Sequence, residues 1–129
     1  MSHEFSYRVG AEVSFSASHQ LRGYKADLEP LHGHNFRVVV TLEATELEAL
    51  DLVLDFIELE AHMREVVAPF DHQHINEIPP FDRINPTTEN MARHFYSELS
   101  ARITDARVRV RRVQVWEAPT YSASYGRRD

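Results

Sequence analysis

Two long stretches of period-two alternation dominate this chain, and each carries histidine where its apolar face meets the intervening loop. From Phe5 to His19 the odd positions read Phe5, Tyr7, Val9, Ala11, Val13, Phe15, Ala17 and His19. The even ones are Ser6, Arg8, Gly10, Glu12, Ser14, Ser16 and Ser18. From His32 onward the even positions take over: His32, His34, Phe36, Val38, Val40, Leu42 and Ala44. Alternation of this kind marks β-strands with one buried face. Paired as an antiparallel hairpin, the two strands bring all three imidazoles to one end of that face. A lone histidine there is ordinarily a core residue with satisfied ring nitrogens. Three in phase at matching strand ends are harder to explain as packing. The chain has no cysteine, so His19, His32 and His34 read as the all-imidazole ligand set of a catalytic zinc ion with one position open.

The rest of the composition sets bounds. At 129 residues the expectation is one domain spanning 1–129. No apolar run approaches the length of a membrane span and no signal-like leader is visible, so a soluble, cytoplasmic protein with no membrane partner is expected. Zero cysteines exclude disulfides, thiolate ligands and a thiol nucleophile. A formal charge of −6 argues against a nucleic-acid surface but leaves room for a small anionic ligand held by local cations. No glycine-rich phosphate loop is present.

The hairpin arms are joined by a polar loop holding Arg22, Lys25, Asp27, Glu29 and Pro30. Asp55 reads as a helix N-cap, with Glu58 three residues on as a capping-box variant. The helix it opens should bury Phe56, Leu59, Met63 and Val66 and stop before Pro69. A second helix is expected near Asn85-Pro86, with proline in its first turn and Met91, Phe95, Leu99 and Ile103 as its core stripe. A closing strand pair follows, with valines on even positions to Val110 and on odd ones at Val113 and Val115. That phase change at Arg111-Arg112 predicts a β-bulge, after which Glu117 shares the valine face. The expected fold is α+β in the order ββααββ: a four-stranded antiparallel sheet with two helices on one face. Its two long edges should be paired in an oligomer that closes a barrel.

Several motifs together resemble one family. Phe15-Ser16-Ala17-Ser18-His19, Leu31-His32-Gly33-His34-Asn35-Phe36, Phe70-Asp71-His72, Pro86-Thr87-Thr88-Glu89-Asn90 and Val115-Trp116-Glu117 look like the successive signatures of the 6-pyruvoyltetrahydropterin synthase/6-carboxytetrahydropterin synthase family. The resemblance implies a T-fold (tunnelling fold) whose trimers form a barrel and stack as a homohexamer, with active sites at subunit interfaces. It also implies zinc as cofactor and a pterin triphosphate as substrate.

Each implied site residue also has an ordinary use. Asp71 and His72 would be an acid–base pair, the carboxylate orienting the ring; unaided, such a dipeptide is a surface turn. Glu117 would grip the amino and ring N–H donors of the pterin, and is otherwise a strand-end charge. Thr87, Thr88 and Glu89 resemble a second pterin contact and could equally cap the helix. Arg22 and Lys25 are candidate cations for the triphosphate. His3, His62, His74 and His94 read as structural.

The departure from the family pattern concerns the base. Pyruvoyl- and carboxy-forming members use a cysteine before His-Gly-His, and this chain has none. Glu29, three residues before His32, matches a cysteine-less branch resembling a bypass of dihydroneopterin aldolase in folate synthesis. The implied reaction cleaves 7,8-dihydroneopterin triphosphate to 6-hydroxymethyl-7,8-dihydropterin, with zinc as Lewis acid and Glu29 or His72 as base; on its own Glu29 is a solvated loop acid. The alternatives are a 6-carboxytetrahydropterin synthase of the queuosine/deazapurine pathway, a 6-pyruvoyltetrahydropterin synthase, or a pterin- or zinc-binding protein without turnover.

Overall fold

The computed structural model describes residues 4–128; His3 lies outside them. Strand β1 (Tyr7–His19) pairs antiparallel with β2 (His32–Ala44) along its whole length, from Tyr7 opposite Ala44 to His19 opposite His32. Helix α1 (Phe56–Val67), a two-residue strand β3 (Gln73–His74) and helix α2 (Thr88–Arg102) follow, then β4 (Arg109–Ala118) and β5 (Tyr121–Gly126). The spatial order is β3-β1-β2-β4-β5. The four long strands are antiparallel throughout, with both helices on one face, as alternation predicts.

The short β3 is a difference from the expected four-stranded sheet. It runs parallel to the end of β1, pairing Ala17 with Gln73 and Ser18 with His74. The turn after α1 is tied to β1 through Ser16, whose N–H donates to Asp71 Oδ1 at 3.0 Å and whose carbonyl accepts from His72 N–H at 2.6 Å. These two bonds lay the following residues along the strand edge. No alternating pattern announces so short a strand.

The core lies between the odd face of β1, the even face of β2, the valine face of β4 and the two helices. Val13, Phe15, Phe36, Val38, Val40, Leu42, Val113 and Val115 meet Leu59, Met63, Met91, Phe95 and Leu99. Phe15 stacks on Phe36 at 5.0 Å and meets Phe95 edge-on at 5.9 Å, geometries that add to simple burial. The opposite face is polar: Arg37 pairs with Glu12 through two hydrogen bonds of 3.0 and 3.1 Å and lies over Trp116. The predicted bulge is present, with Thr41 opposite Arg112 and Leu42 opposite Val110, so Arg111 is the extra residue.

The helix starts differ in detail from expectation. Asp55 caps α1 by accepting from Ile57 N–H at 2.8 Å. Glu58 leans toward His62 at 3.8 Å instead of closing a capping box. Phe56 is 58% exposed rather than buried; the buried stripe of the helix begins at Leu59. Helix α2 is capped by Thr87, which accepts from Asn90 N–H at 3.0 Å, so Pro86 precedes the helix instead of occupying its first turn. Val66 and all four α2 stripe residues are buried as expected. Among the described residues no helix is long and apolar enough to cross a membrane.

His94 packs its ring against Phe70, Phe81 and Phe95, and burial pushes its pKa below the ordinary 6.5 against the opposing pull of Glu98. Below about pH 6.5 the unfolded chain therefore binds more protons than the native one, and stability falls as pH drops. His94→Phe should flatten the decline of melting temperature between roughly pH 6.5 and 5. An unchanged slope in thermal denaturation would contradict this role.

Candidate metal centre

The hairpin register alone brings the three imidazoles together. His19 and His32 face each other across the ladder, and the ring centroids of His19–His32, His32–His34 and His19–His34 lie 4.6, 4.7 and 5.3 Å apart. One ring nitrogen from each falls within 4.8 Å of the others. Phe36 forms the floor, with its ring edge-on to both His19 and His34.

Backbone carbonyls set the ring orientations. His19 Nδ1 donates to the Pro86 carbonyl at 2.8 Å, and His32 Nδ1 donates to the Pro30 carbonyl at 2.9 Å. A proton held at Nδ1 leaves Nε2 as a lone pair, the form a metal ligand needs. Burial pushes the pKa of His19 down, against the Pro86 bond and the charge of Glu117, which favours the neutral ring. His19 Nε2 and His34 Nε2 are buried without a hydrogen-bond partner. Each such orphan costs about 1–3 kcal/mol, and a divalent cation among the three rings would remove that cost. Three imidazoles with no thiolate suit zinc and leave a coordination position for substrate.

Two carboxylates flank the cluster. Glu117, 27% exposed at its side chain, places Oε1 3.4 Å from His19 Nε2 and accepts from Thr88 Oγ1 at 3.0 Å. Glu29 Oε1 lies 3.7 Å from His32 Nδ1 and accepts from Leu21 N–H at 3.2 Å. Its backbone N–H donates to the Leu21 carbonyl at 2.9 Å, so Glu29 is fixed beside a candidate metal ligand rather than waving in solvent. The Oε2 atoms of both glutamates make no hydrogen bond or ion pair within the described residues.

The other expected residues are placed less centrally. Asp71 and His72 do pair, Oδ1 to Nδ1 at 3.0 Å, and the Ser16 N–H together with His72 holds the Asp71 carboxyl below its ordinary range. They sit on the outer edge of β1, with His72 exposed and at a positive φ of 60°, and they make no hydrogen bond or ion pair with the histidine cluster. Thr87 is used as the cap of α2 and Thr88 as a donor to Glu117, while Glu89 is exposed in the first helical turn. Lys25 is exposed and lies over the Tyr24 ring.

Arg22, expected as a cation for the triphosphate, is held by the backbone around it. Its guanidinium donates to the carbonyls of Ile84, Asn76 and Phe81 at 3.1, 3.2 and 2.7 Å, which commits its terminal nitrogens to the backbone. Two asparagines extend this clamp. Asn76 bonds both the N–H and the carbonyl of Gln20, and Asn85 does the same for Arg22. Neither asparagine stands out in the sequence, because side chains that imitate strand pairing leave no periodic signal.

A sheet backed by two helices, with a histidine triad and a flanking carboxylate at its strand ends, defines a candidate metal site open to a small ligand. Residues 8–128 match the family model described as 6-pyruvoyl tetrahydropterin synthase. The chain belongs to that family. It is 38% identical over 109 residues to an Archaeoglobus fulgidus protein provisionally assigned as 6-carboxy-5,6,7,8-tetrahydropterin synthase, covering 84% of this chain and 86% of that one. It is 33% identical to the dihydroneopterin monophosphate aldolase of Pyrococcus furiosus, covering 85% and 89%, and 33% identical to human 6-pyruvoyl tetrahydrobiopterin synthase, covering 71% and 73%. The solved structure of the Caenorhabditis elegans 6-pyruvoyl tetrahydropterin synthase superposes with a TM-score of 0.81 at 23% identity, covering 99% of this chain and all of that one.

His32→Ala removes a ligand from the exposed side of the cluster and should cut bound zinc from one ion per chain to near zero, measured by elemental analysis. Circular dichroism should remain that of the native fold. Full occupancy in the variant would contradict the ligand assignment.

Proposed function

We propose that this chain is a zinc-dependent lyase that cleaves the side chain of 7,8-dihydroneopterin triphosphate to 6-hydroxymethyl-7,8-dihydropterin. The carrying observation is Glu29, anchored beside His32 in a chain without cysteine. Solved structures with the same fold include the Plasmodium vivax 6-pyruvoyltetrahydropterin synthase with a glutamate, described as a catalytic residue, replaced by cysteine or by alanine. That is consistent with a carboxylate serving as the base on this fold.

His19, His32 and His34 would hold the metal, which when bound supplies Lewis acidity toward the vicinal side-chain hydroxyls. Glu117 anchors the pterin by accepting from its amino group and ring N–H, with Thr88 holding the carboxylate in place. Glu29, through Oε2, accepts the proton of the hydroxyl on the second side-chain carbon. The bond between the first two side-chain carbons then breaks, its electrons pass into the ring C=N, and a phosphorylated two-carbon aldehyde departs. His72, oriented by Asp71, returns a proton to the first side-chain carbon. A carboxylate has a reference pKa of about 4.3 against about 8.5 for a thiol. The weaker base favours loss of a hydroxyl proton beside a metal over abstraction from carbon, and so favours cleavage.

A second reading concerns the phosphate. With three of the Arg22 guanidinium donors directed at carbonyls, Lys25 is the less engaged of the two loop cations proposed for the triphosphate, and fewer free donors suit a single phosphate better than three. The Pyrococcus furiosus relative is named for a monophosphate. Turnover of dihydroneopterin monophosphate and triphosphate by the zinc-loaded protein, with the pterin product identified by mass, compares the two. The main product expected is 6-hydroxymethyl-7,8-dihydropterin. A main product of 6-carboxytetrahydropterin or 6-pyruvoyltetrahydropterin would reassign the enzyme to one of those branches. Glu29→Ala should retain zinc and lower turnover by roughly 10²–10⁴, and near-normal turnover would move the base to His72.

The placement of Asp71–His72 on an outer edge supports a site completed by a second copy. Strand β1 is covered by β3 only at Ala17 and Ser18, and β5 forms the opposite edge of the sheet. Edges of this length are normally paired, and trimers closed edge to edge, stacked as a hexamer, would pair them. Light scattering at micromolar protein should give the hexamer mass; an active monomer would overturn the shared-site reading.

A further inference from the structure

Gln20, Leu21 and Arg22 follow His19 outside any strand, yet their backbone groups are paired as if they lay in one. Gln20 N–H donates to Asn76 Oδ1 at 2.9 Å, and its carbonyl accepts from Asn76 Nδ2 at 2.8 Å. Two residues on, Arg22 N–H donates to Asn85 Oδ1 at 2.8 Å, and its carbonyl accepts from Asn85 Nδ2 at 3.2 Å. Between them Leu21 pairs with Glu29, through the glutamate's backbone N–H and its Oε1. A primary amide carries an acceptor and a donor side by side, so each asparagine satisfies both backbone groups of one residue, as a neighbouring strand would.

The Asn85 pair closes on the candidate metal centre. Asn85 directly precedes Pro86, whose carbonyl accepts from Nδ1 of His19 at 2.8 Å. Proline has no N–H, so Pro86 cannot anchor itself by donating, and its neighbours set its place. Asn85 is the joint that does so. Its side chain grips Arg22, while its own carbonyl accepts from Thr87 N–H at 2.8 Å and from Asn90 Nδ2 at 2.9 Å at the start of α2. The contacts therefore run in a ring: from the His19 backbone along residues 20–22, through the Asn85 amide to the Pro86 carbonyl, and back to the His19 imidazole. Satisfying loop backbone would not require this closure, because Arg22 is exposed and water could serve its N–H and carbonyl. Water could not hold residues 22 and 86 at a fixed separation. His19 is 1% exposed, so water is also a poor substitute for the carbonyl that orients its ring.

We propose that Asn76 and Asn85 are positioning residues of the metal centre, which set its zinc affinity by holding residues 20–22 and the Pro86 carbonyl so that His19 presents Nε2 as a lone pair. The outer partner of a ligating imidazole fixes its tautomer and orientation, and losing such a partner typically weakens metal binding 10–100-fold. Here that partner is a backbone carbonyl, which no substitution at Pro86 removes, so its placement falls to the amide side chains. Arg22 provides a second tie through its bonds to the Ile84, Asn76 and Phe81 carbonyls. Loss of one asparagine should therefore weaken zinc binding rather than abolish it. The proposal rests on His19, His32 and His34 as the metal ligands and is independent of which pterin reaction the chain performs.

Competition of the full chain with a chromophoric chelator for zinc tests the proposal. Asn85→Ala should bind zinc roughly 10–100-fold more weakly than the wild type, still at one ion per chain, and Asn76→Ala should shift in the same direction. Asp55→Ala removes the cap of α1, far from the clamp in the chain and outside its hydrogen bonds. It should lower the melting temperature and leave zinc affinity unchanged, which separates positioning from general loss of stability. Nitrogen-15 shifts of the His19 ring in the metal-free chain supply a second readout: a proton at Nδ1 in the wild type, and a mixture of the two tautomers in Asn85→Ala. Should Asn85→Ala fail to fold by circular dichroism, Asn76→Ala decides. Unchanged zinc affinity in the folded asparagine variants, or an equal loss in Asp55→Ala, would overturn the positioning role. Wild-type zinc affinity in His32→Ala would instead overturn the ligand assignment, and this proposal with it.

Discussion

The register of the β1–β2 hairpin is the constraint on which the remaining structure depends. Side chains alternate with period two, so a slip of one residue would move a whole strand's apolar set to the polar face. In the observed register Phe15 faces Phe36 and His19 faces His32. The stacked phenylalanines and the imidazole cluster are therefore consecutive layers of the same ladder. Burial of the phenylalanines, on the order of 2 kcal/mol each, is spent where it also fixes the histidines. A metal among them gains a site already assembled by hydrophobic packing, which reduces the ordering cost of binding.

Packing places the histidines, but polar contacts from elsewhere in the chain aim them. The Pro86 carbonyl sets the tautomer of His19, and Pro86 is held in position because the segment before α2 is zipped to the residues after His19 by Asn76, Asn85 and Arg22. Helix α2 starts immediately afterward, and its Thr88 holds Glu117. The start of α2 thus connects a candidate metal ligand to the candidate pterin anchor, two groups brought together from opposite ends of the sequence. A disturbance in the 76–87 segment would displace both at once, although neither asparagine touches the cluster.

Much of this was legible in the sequence, and the parts that were not share a physical cause. The four long strands, the bulge at Arg111, the α2 stripe and the histidine cluster all write themselves as periodicity or as a break in it. Phe56 was misread because one apolar residue at a helix start satisfies the amphipathic pattern whether or not a partner lies opposite it. The contacts of Arg22 were not legible because its loop position near the histidines says nothing about the three carbonyls that the fold presents to it. Strand β3 was missed because its two residues pair through a turn tied to Ser16, a contact between positions far apart in the chain. Contacts made by backbone carbonyls, as at Pro86 and Pro30, carry no residue-type signal at all.

The two sheet faces divide the protein's chemistry. The helix-covered face favours the neutral ring of His19, because burial there disfavours its protonation. The opposite face keeps its charges, Arg37 with Glu12 and Arg8 with Glu43, in contact with water. One chain therefore presents the candidate metal ligands and the proposed pterin anchor on one side of β1's end, while Asp71–His72 projects from its edge with His72 held in a left-handed conformation. A non-glycine residue in that region is costly, and the two hydrogen bonds to Ser16 are what maintain it. An ordered imidazole held outward at a sheet edge is poorly used by a monomer. In the proposed edge-to-edge assembly it would face a second copy, and that use accounts for the cost of holding this single residue in a left-handed conformation.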